Sequence, residues 1–97
     1  MRVLITGTTG WLGKELAQAL APAHEIVGLA RRATDIEGVA SLELDITSKQ
    51  DMQALAAQPA FDVVCHLAGA AGWCSLEQGL DINVGGTRNL VAAARAP

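Results

Sequence analysis

The sequence predicts an α/β fold in which about four parallel strands form one sheet flanked by three helices. Short apolar runs recur along the chain without polar alternation, which is typical of strands buried on both faces. Segments with apolar residues at helical spacing separate these runs, and Pro or Gly stands at several boundaries. Strands that alternate with helices favour a parallel sheet with right-handed crossovers. The length of 97 residues and the hydrophobic content of 51% suit one small domain.

The strands are predicted from four apolar runs. In chain order these runs are RVLIT at 2–6, EIVGLA at 25–30, SLELDI at 41–46 and DVVCHLA at 62–68. The first run ends directly at a glycine, and the fourth is almost unbroken in its apolar character. All four therefore fit the interior of a sheet that is covered on both sides.

The first two helices follow from apolar spacing and from proline. The apolar face of the first helix is predicted to contain Leu12, Leu16, Ala19 and Leu20, and Pro22 ends this helix. The second helix is predicted from Met52, Leu55 and Ala56, with Pro59 after it. We expect a capping box formed by Thr47 and Gln50 to open the second helix.

A third helix is predicted from about Leu76 to Arg95. Its interior contains Gly79, Gly85 and Gly86, which lower its intrinsic helix propensity. This helix would follow the fourth strand and complete the alternation of strands and helices.

Composition excludes several classes of function. The net charge is −3, and the seven Lys and Arg residues include only one adjacent pair, Arg31–Arg32, so no nucleic-acid partner is expected. No apolar run is long enough for a signal peptide or a membrane span, so no membrane partner is expected. Cys65 and Cys74 do not form a C-x-x-C pair, which favours reduced thiols and a cytoplasmic protein. No metal site is predicted.

Three glycines at a spacing of three residues connect the first strand to the first helix. Gly7 would make the tight turn, Gly10 would let the backbone approach a pyrophosphate, and Gly13 would let the helix pack closely on the sheet. The unpaired amides at the helix start, together with the helix dipole, form an anion site. Thr8 and Thr9 could add hydroxyl donors. The alternative is an ordinary strand-to-helix turn that is merely rich in glycine.

Three further segments accompany this G-x-x-G-x-x-G pattern. They are LDIT at 44–47, HLAGA at 66–70 and DINVGGTRNLVAAAR at 81–95. With the glycines, they resemble the short-chain dehydrogenase/reductase superfamily in its extended, NAD-dependent epimerase/dehydratase-like branch. The resemblance covers essentially the whole chain. It implies a partial Rossmann fold, a doubly wound parallel sheet with strand order 3-2-1-4.

The resemblance also implies roles for individual residues. Cofactor contacts are expected from Gly7, Thr9, Gly10, Trp11, Leu12, Gly13, Asp45, Ile46, Leu67, Ala68 and Gly69, and a catalytic role from Asn83. Asp45 would accept a hydrogen bond from the adenine amino group, but it could instead cap the following helix. Ala68 and Gly69 would lie against the ribose, but they could be small only for packing. Asn83 could instead satisfy buried backbone within its helix, and His66 is expected to be a packed core histidine.

The end of the second strand bears on the choice of cofactor. NAD-specific members of the superfamily usually have an acidic residue at this position, which binds the ribose 2′-hydroxyl. Here Ala30 is followed by Arg31 and Arg32, and no acidic residue occurs before Asp35. An arginine can bind a 2′-phosphate through charge-assisted hydrogen bonds. We therefore expect NADP as the cofactor, with NAD as the alternative.

The chain departs from the superfamily in one respect that concerns catalysis. Members use a Tyr-x-x-x-Lys pair, and this chain contains no tyrosine. We expect residues 1–97 to be the N-terminal part of an NAD(P)-binding domain, with the C-terminal half and the substrate region absent.

Three functions remain open. The first is the cofactor-binding portion of an epimerase, dehydratase or reductase for a nucleotide-sugar or a small carbonyl or alcohol substrate. The second is a non-catalytic NAD(P)-sensing module, and the third is an inert gene fragment. In the first case, we expect the chain to be inactive alone and to self-associate or require its missing half.

Overall fold

The computed structural model describes residues 1–70 and 74–94 and contains one sheet of four parallel strands. The strands are β1 (Arg2–Thr6), β2 (Glu25–Ala30), β3 (Val39–Glu43) and β4 (Val63–His66). Their order in the sheet is β3-β2-β1-β4. Register is continuous, with Ile5 opposite Gly28 of β2 and opposite Cys65 of β4. The predicted fold class and strand order are confirmed.

Three helical regions accompany the sheet. The first two are α1 (Trp11–Leu20) and α2 (Lys49–Ala56). The third region consists of three consecutive segments: α3 (Leu76–Gly79), a π-helical segment (Leu80–Gly86) and α4 (Thr87–Ala94). The third helix was predicted without its π-helical interior, and its predicted last residue, Arg95, lies outside the described residues.

The two faces of the sheet are covered by different helices. On one face, Ala17 of α1 packs with the β1 residues Val3 and Ile5. On the other face, Leu55 of α2 and Leu90 of α4 pack around Leu4. The sheet is therefore doubly wound. The β2–β3 connection contains no helix, and its buried Ile36 joins the cluster on the α1 face.

The apolar face of α1 was predicted only in part. Leu16 and Leu20 are half-buried and pack on the sheet as expected, but Leu12 is 56% exposed and Ala19 is also exposed. The buried positions are Gly13 and Ala17. This rotation follows from Gly13, which must face the turn at Gly7 because its backbone touches that turn.

The third strand was predicted over residues 41–46, but β3 begins at Val39 and ends at Glu43. The Asp45 amide donates to the Asp51 carboxylate at 2.8 Å, and Asp45 Oδ1 accepts from the Thr47 amide at 2.9 Å. These bonds turn the chain away from the sheet. The Thr47 hydroxyl also donates to Asp45 Oδ1, at 2.7 Å. The predicted Thr47–Gln50 capping box is wrong, because Ser48 is the N-cap residue of α2.

The fourth strand is shorter than predicted at both ends. At its carboxyl end, the amides of Leu67 and Ala68 donate to the Thr6 hydroxyl instead of extending the sheet. At its amino end, the Asp62 carboxylate accepts from the Arg2 amide at 2.7 Å. Among the described residues, no helix is long and apolar enough to span a membrane. A cytoplasmic location stays a prediction.

Candidate nucleotide-binding site

Two of the three motif glycines are required by the fold itself. Gly7 has a φ angle of +81°, and a Cβ there would lie 2.9 Å from the Ala68 nitrogen. A Cβ at Gly13 would overlap the Gly7 carbonyl oxygen and lie 2.8 Å from the carbonyl carbon. Gly7 therefore makes the turn, and Gly13 allows α1 to pack against that turn.

Gly10 differs from both. Its backbone is extended, with φ −83° and ψ 163°, so a side chain is conformationally allowed. A Cβ there would meet only the Gly7 carbonyl oxygen, at 3.3 Å, and the residue is exposed. The fold thus requires glycine strictly at Gly7 and Gly13, whereas a Cβ at Gly10 would require only a small displacement of the Gly7 carbonyl oxygen.

A cavity of about 310 Å³ lies at the carboxyl ends of the strands, beside this turn. The predicted cofactor residues that line it are Gly7, Thr9, Gly10, Arg31, Asp45, Ile46, Leu67, Ala68 and Gly69. The wall also contains residues that were not predicted: Leu29, Ala30, Leu44, Thr47, Ala70 and Ile82. Most of these lie at or just after strand ends, where the carboxyl-end rule for parallel sheets could have found them.

Five of the predicted site residues do not line this cavity. They are Trp11, Leu12, Gly13, Arg32 and Asn83. Trp11 is 79% exposed at the first position of α1. The amides of this first turn have no partner within the helix, as at any helix start. The Thr8 side chain, expected to offer a hydroxyl, is instead buried against Gly28.

Asp45 accepts hydrogen bonds from Thr47 and also lines the cavity. Its Oδ1 accepts both hydrogen bonds from Thr47, whereas Oδ2 accepts none from the described residues. The hydrogen bonds from the Thr47 side chain and backbone lower the pKa of Asp45, and the charge of Arg31 lowers it further, against an opposing effect of burial. Asp45 does not cap α2, since Ser48 does. The carboxylate therefore stays ionised at the cavity wall.

Asn83 lies in the π-helical segment and contacts the loop after β4. Its Oδ1 accepts from the Ala70 amide at 2.7 Å, and its Nδ2 donates to the Ala70 carbonyl at 3.0 Å. The side chain thus pairs with exposed backbone of this loop and not with buried backbone of its own helix. The neighbouring Ile82 lines the cavity. A catalytic role for Asn83 stays a prediction.

Asn89 and Gly86 hold the other side of the cavity in a similar way. Asn89 Nδ2 donates to the Ile46 carbonyl at 3.0 Å. A Cβ at Gly86 would lie 2.7 Å from Ile46 Cδ1, so this glycine makes room for the Ile46 side chain. The third helical region therefore fixes both loops that border the cavity.

Comparison with known proteins identifies one family model, described as the NAD dependent epimerase/dehydratase family, which matches residues 3–97. L-arabinose 1-dehydrogenase (NAD(P)(+)) from Haloferax volcanii is 35% identical over 98% of this chain and 36% of its own length. Uronate dehydrogenase from Agrobacterium tumefaciens, solved as a mutant complexed with NAD, is 31% identical with a TM-score of 0.81; the match covers 98% of this chain and 36% of that one. UDP-glucose 4-epimerase from Thermus thermophilus, complexed with NAD, is 29% identical with a TM-score of 0.82. This match covers 98% of the present chain and 34% of the epimerase chain.

The chain spans about a third of the length of two curated relatives: 36% of L-arabinose 1-dehydrogenase and 30% of 2-alkyl-3-oxoalkanoate reductase from Stenotrophomonas maltophilia. The matched part includes all four strands and the residues around the cavity.

Proposed function

Because the chain belongs to the NAD dependent epimerase/dehydratase family, we propose that its cavity binds the adenosine and pyrophosphate of a nicotinamide dinucleotide. The observation that carries this proposal is Gly10. The backbone angles allow a side chain at this position and a Cβ would crowd only the Gly7 carbonyl oxygen, yet the residue is a glycine that lines the cavity at the start of α1. Close approach of a phosphate accounts for the missing side chain.

The donors and acceptors around the cavity fit the two ends of this ligand. The first-turn amides of α1 donate to the pyrophosphate, and the helix dipole favours its negative charge. Asp45 offers Oδ2 to the adenine amino group, while Ile46 packs beside the ring. Ala68 and Gly69 allow the ribose to lie against the backbone. When bound, the dinucleotide would supply hydride transfer at its nicotinamide.

Arg31 supports a preference for NADP over NAD. Its side chain is exposed at the cavity wall directly after β2, where Ala30 stands in place of an acidic residue. A guanidinium there binds a 2′-phosphate more strongly than a 2′-hydroxyl. Arg32 does not line the cavity. Arg31 is therefore the member of the pair that would select the cofactor.

We further propose that the chain is the nucleotide-binding portion of an oxidoreductase or epimerase whose substrate is a sugar, a nucleotide-sugar or a small carbonyl compound. Similarity to L-arabinose 1-dehydrogenase, uronate dehydrogenase and UDP-glucose 4-epimerase supports this substrate class. The 97 residues contain no tyrosine to act as the family's proton donor. They would therefore bind the nucleotide without turnover.

Calorimetric titration of the purified chain with NADP and NAD tests the proposal. We expect saturable binding of both nucleotides, tighter for NADP at low salt, and no hydride transfer to or from sugar substrates. Absence of binding by a folded chain would contradict the proposed site. Hydride transfer catalysed by the 97-residue chain would contradict the proposal that it binds the nucleotide without turnover.

A further inference from the structure

A chain of hydrogen bonds connects the cavity wall to α4 through His66. The Thr6 hydroxyl oxygen accepts from the amides of Leu67 at 3.0 Å and Ala68 at 3.1 Å. The same oxygen lies 2.6 Å from His66 Nδ1. On the other side of the ring, His66 Nε2 lies 2.8 Å from the Thr87 hydroxyl oxygen.

The partners determine which ring nitrogen carries the proton. Thr6 Oγ1 accepts two amide hydrogens, so both of its lone pairs are used and its own hydrogen must go to His66 Nδ1. The Thr87 hydroxyl donates to the Asn83 carbonyl at 2.6 Å, so it must accept from His66 Nε2. Both ends of the network therefore require a neutral His66 with its hydrogen on Nε2.

We propose that neutral His66 is a positioning residue that holds the Leu67 and Ala68 backbone at the cavity wall, and that acidification releases this backbone and weakens nucleotide binding. The part of this inference that concerns nucleotide binding rests on the proposed function. A proton on Nδ1 would face the Thr6 hydroxyl and need one of its lone pairs. One of the two amide hydrogen bonds to Thr6 must then be lost.

Among the described residues, the groups that hydrogen bond to the His66 ring carry no charge that would stabilise its protonated form. The side chains that hydrogen bond to the ring, Thr6 from β1 and Thr87 from α4, are uncharged. Cys65 precedes it on β4 but packs with the cluster on the α1 face, and Arg88, the charged residue next to Thr87, is exposed. Neither hydrogen bonds to His66 among the described residues.

Burial lowers the pKa of His66 below its ordinary value of 6.5. The unfolded chain therefore binds more protons near this pH than the folded chain does, so stability rises with pH in this range. The contribution of neutral His66 is complete above about pH 7 and is lost as the pH falls through the lowered pKa.

Titration with NAD at about pH 7.5, and at a series of lower pH values that extends below the His66 midpoint measured by nuclear magnetic resonance, tests the proposal, because NAD has no 2′-phosphate that would titrate in this interval. We expect affinity to fall about fivefold on acidification, the equivalent of one lost hydrogen bond. His66→Gln, which cannot be protonated, should abolish this dependence. The matched control is His24→Gln, because His24 lies before β2 near the amino terminus and away from the cavity. This control should keep the full dependence.

Nuclear magnetic resonance of the unaltered chain provides a second readout that does not need ligand or variant. We expect the His66 ring nitrogens to report the Nε2–H form at neutral pH, and the Leu67 and Ala68 amide shifts to titrate with the same midpoint as His66. If the Leu67 and Ala68 amide chemical shifts do not titrate with His66, or if the affinity for NAD stays constant or rises on acidification, the inference is overturned. If NAD does not bind even at pH 7.5, the proposed function fails, and the amide titration alone decides whether His66 positions this backbone.

Discussion

Asn83 holds the Ala70 backbone by both of its polar groups. Oδ1 accepts from the Ala70 amide at 2.7 Å, and the Asn83 side-chain amide donates to the Ala70 carbonyl at 3.0 Å. This pair connects the π-helical segment to the loop that follows β4, and Ala70 itself lines the cavity. A side chain in the third helical region therefore controls the position of backbone at the proposed nucleotide site.

Asn83→Ala should loosen this loop without unfolding the sheet. Both hydrogen bonds are solvent-exposed, so we expect a loss of about 1 kcal/mol in the opening free energy of the Ala70 amide. Amide hydrogen exchange measures this loss directly. Asn89→Ala is the matched control, because it removes a comparable bond to Ile46 and should leave Ala70 unchanged. Unchanged Ala70 exchange in Asn83→Ala would show that the pairing does not hold the loop.

Arg31→Ala should remove the preference for NADP, whereas Arg32→Ala should preserve it. Only Arg31 lines the cavity, although both side chains are exposed. Loss of a charge-assisted interaction with the 2′-phosphate should weaken NADP binding about tenfold and leave NAD binding nearly constant. Calorimetric titration of both variants at low salt measures the ratio of their affinities for NADP and NAD. An equal effect of the two substitutions would contradict this assignment.

Asp45 should contribute a pH-dependent part of the stability at acid pH. Its pKa lies below the ordinary 3.8, chiefly because Thr47 donates two hydrogen bonds to the carboxylate. This contribution is present above pH 3.8 and is lost as the pH falls through the lowered pKa. Denaturant unfolding between about pH 5 and pH 2.5 should therefore be less steeply pH-dependent in Asp45→Asn. Glu43→Gln, at the exposed end of β3, is the control for loss of one carboxylate. If the free energy of unfolding changes with pH equally steeply in the two variants, the prediction is contradicted.

The free edge of β4 should promote self-association. Among the described residues, β4 pairs only with β1, and Val63, Val64 and Leu67 are each 38% exposed. An apolar edge with unpaired backbone groups favours pairing with another chain. We expect sedimentation to show concentration-dependent association that Val64→Lys reduces. A monomer at every concentration, with a sharp thermal transition, would contradict this prediction.

The parts of the fold that depend on local pattern could be predicted from the sequence. The apolar runs located all four strands, and the glycines located the turn, because Gly13 packs directly against the nearby Gly7. The end of β3 could not be predicted, because it depends on the Asp45 amide reaching Asp51 in the following helix. The apolar face of α1 was misjudged for a similar reason, since contact with Gly7 sets its rotation.

Site residues that belong to a sequence motif could be predicted. Residues that reach the cavity only through contacts between distant segments of the chain could not. Arg31 was found from its position after the second strand, and Asp45 from the family resemblance of the LDIT segment. Ile82 was missed, because the π-helical segment that brings it to the cavity has no periodic pattern in the sequence. Ala70 was missed, because its position depends on the distant side chain of Asn83. His66 was expected to be a core residue, yet it is only half-buried and bridges Thr6 and Thr87.

The most direct test of the proposed nucleotide site is calorimetric titration of Gly10→Val with NADP, beside the unaltered chain. The backbone angles at this extended position allow valine, and its Cβ would require only a small shift of the Gly7 carbonyl oxygen, 3.3 Å away, so helix content should stay nearly constant by circular dichroism. Ala19→Val, at an exposed position of α1, controls for added methyl groups and should bind normally. We predict that Gly10→Val gives no measurable binding, because the valine side chain would occupy the phosphate position. Affinity equal to that of the unaltered chain would contradict the site.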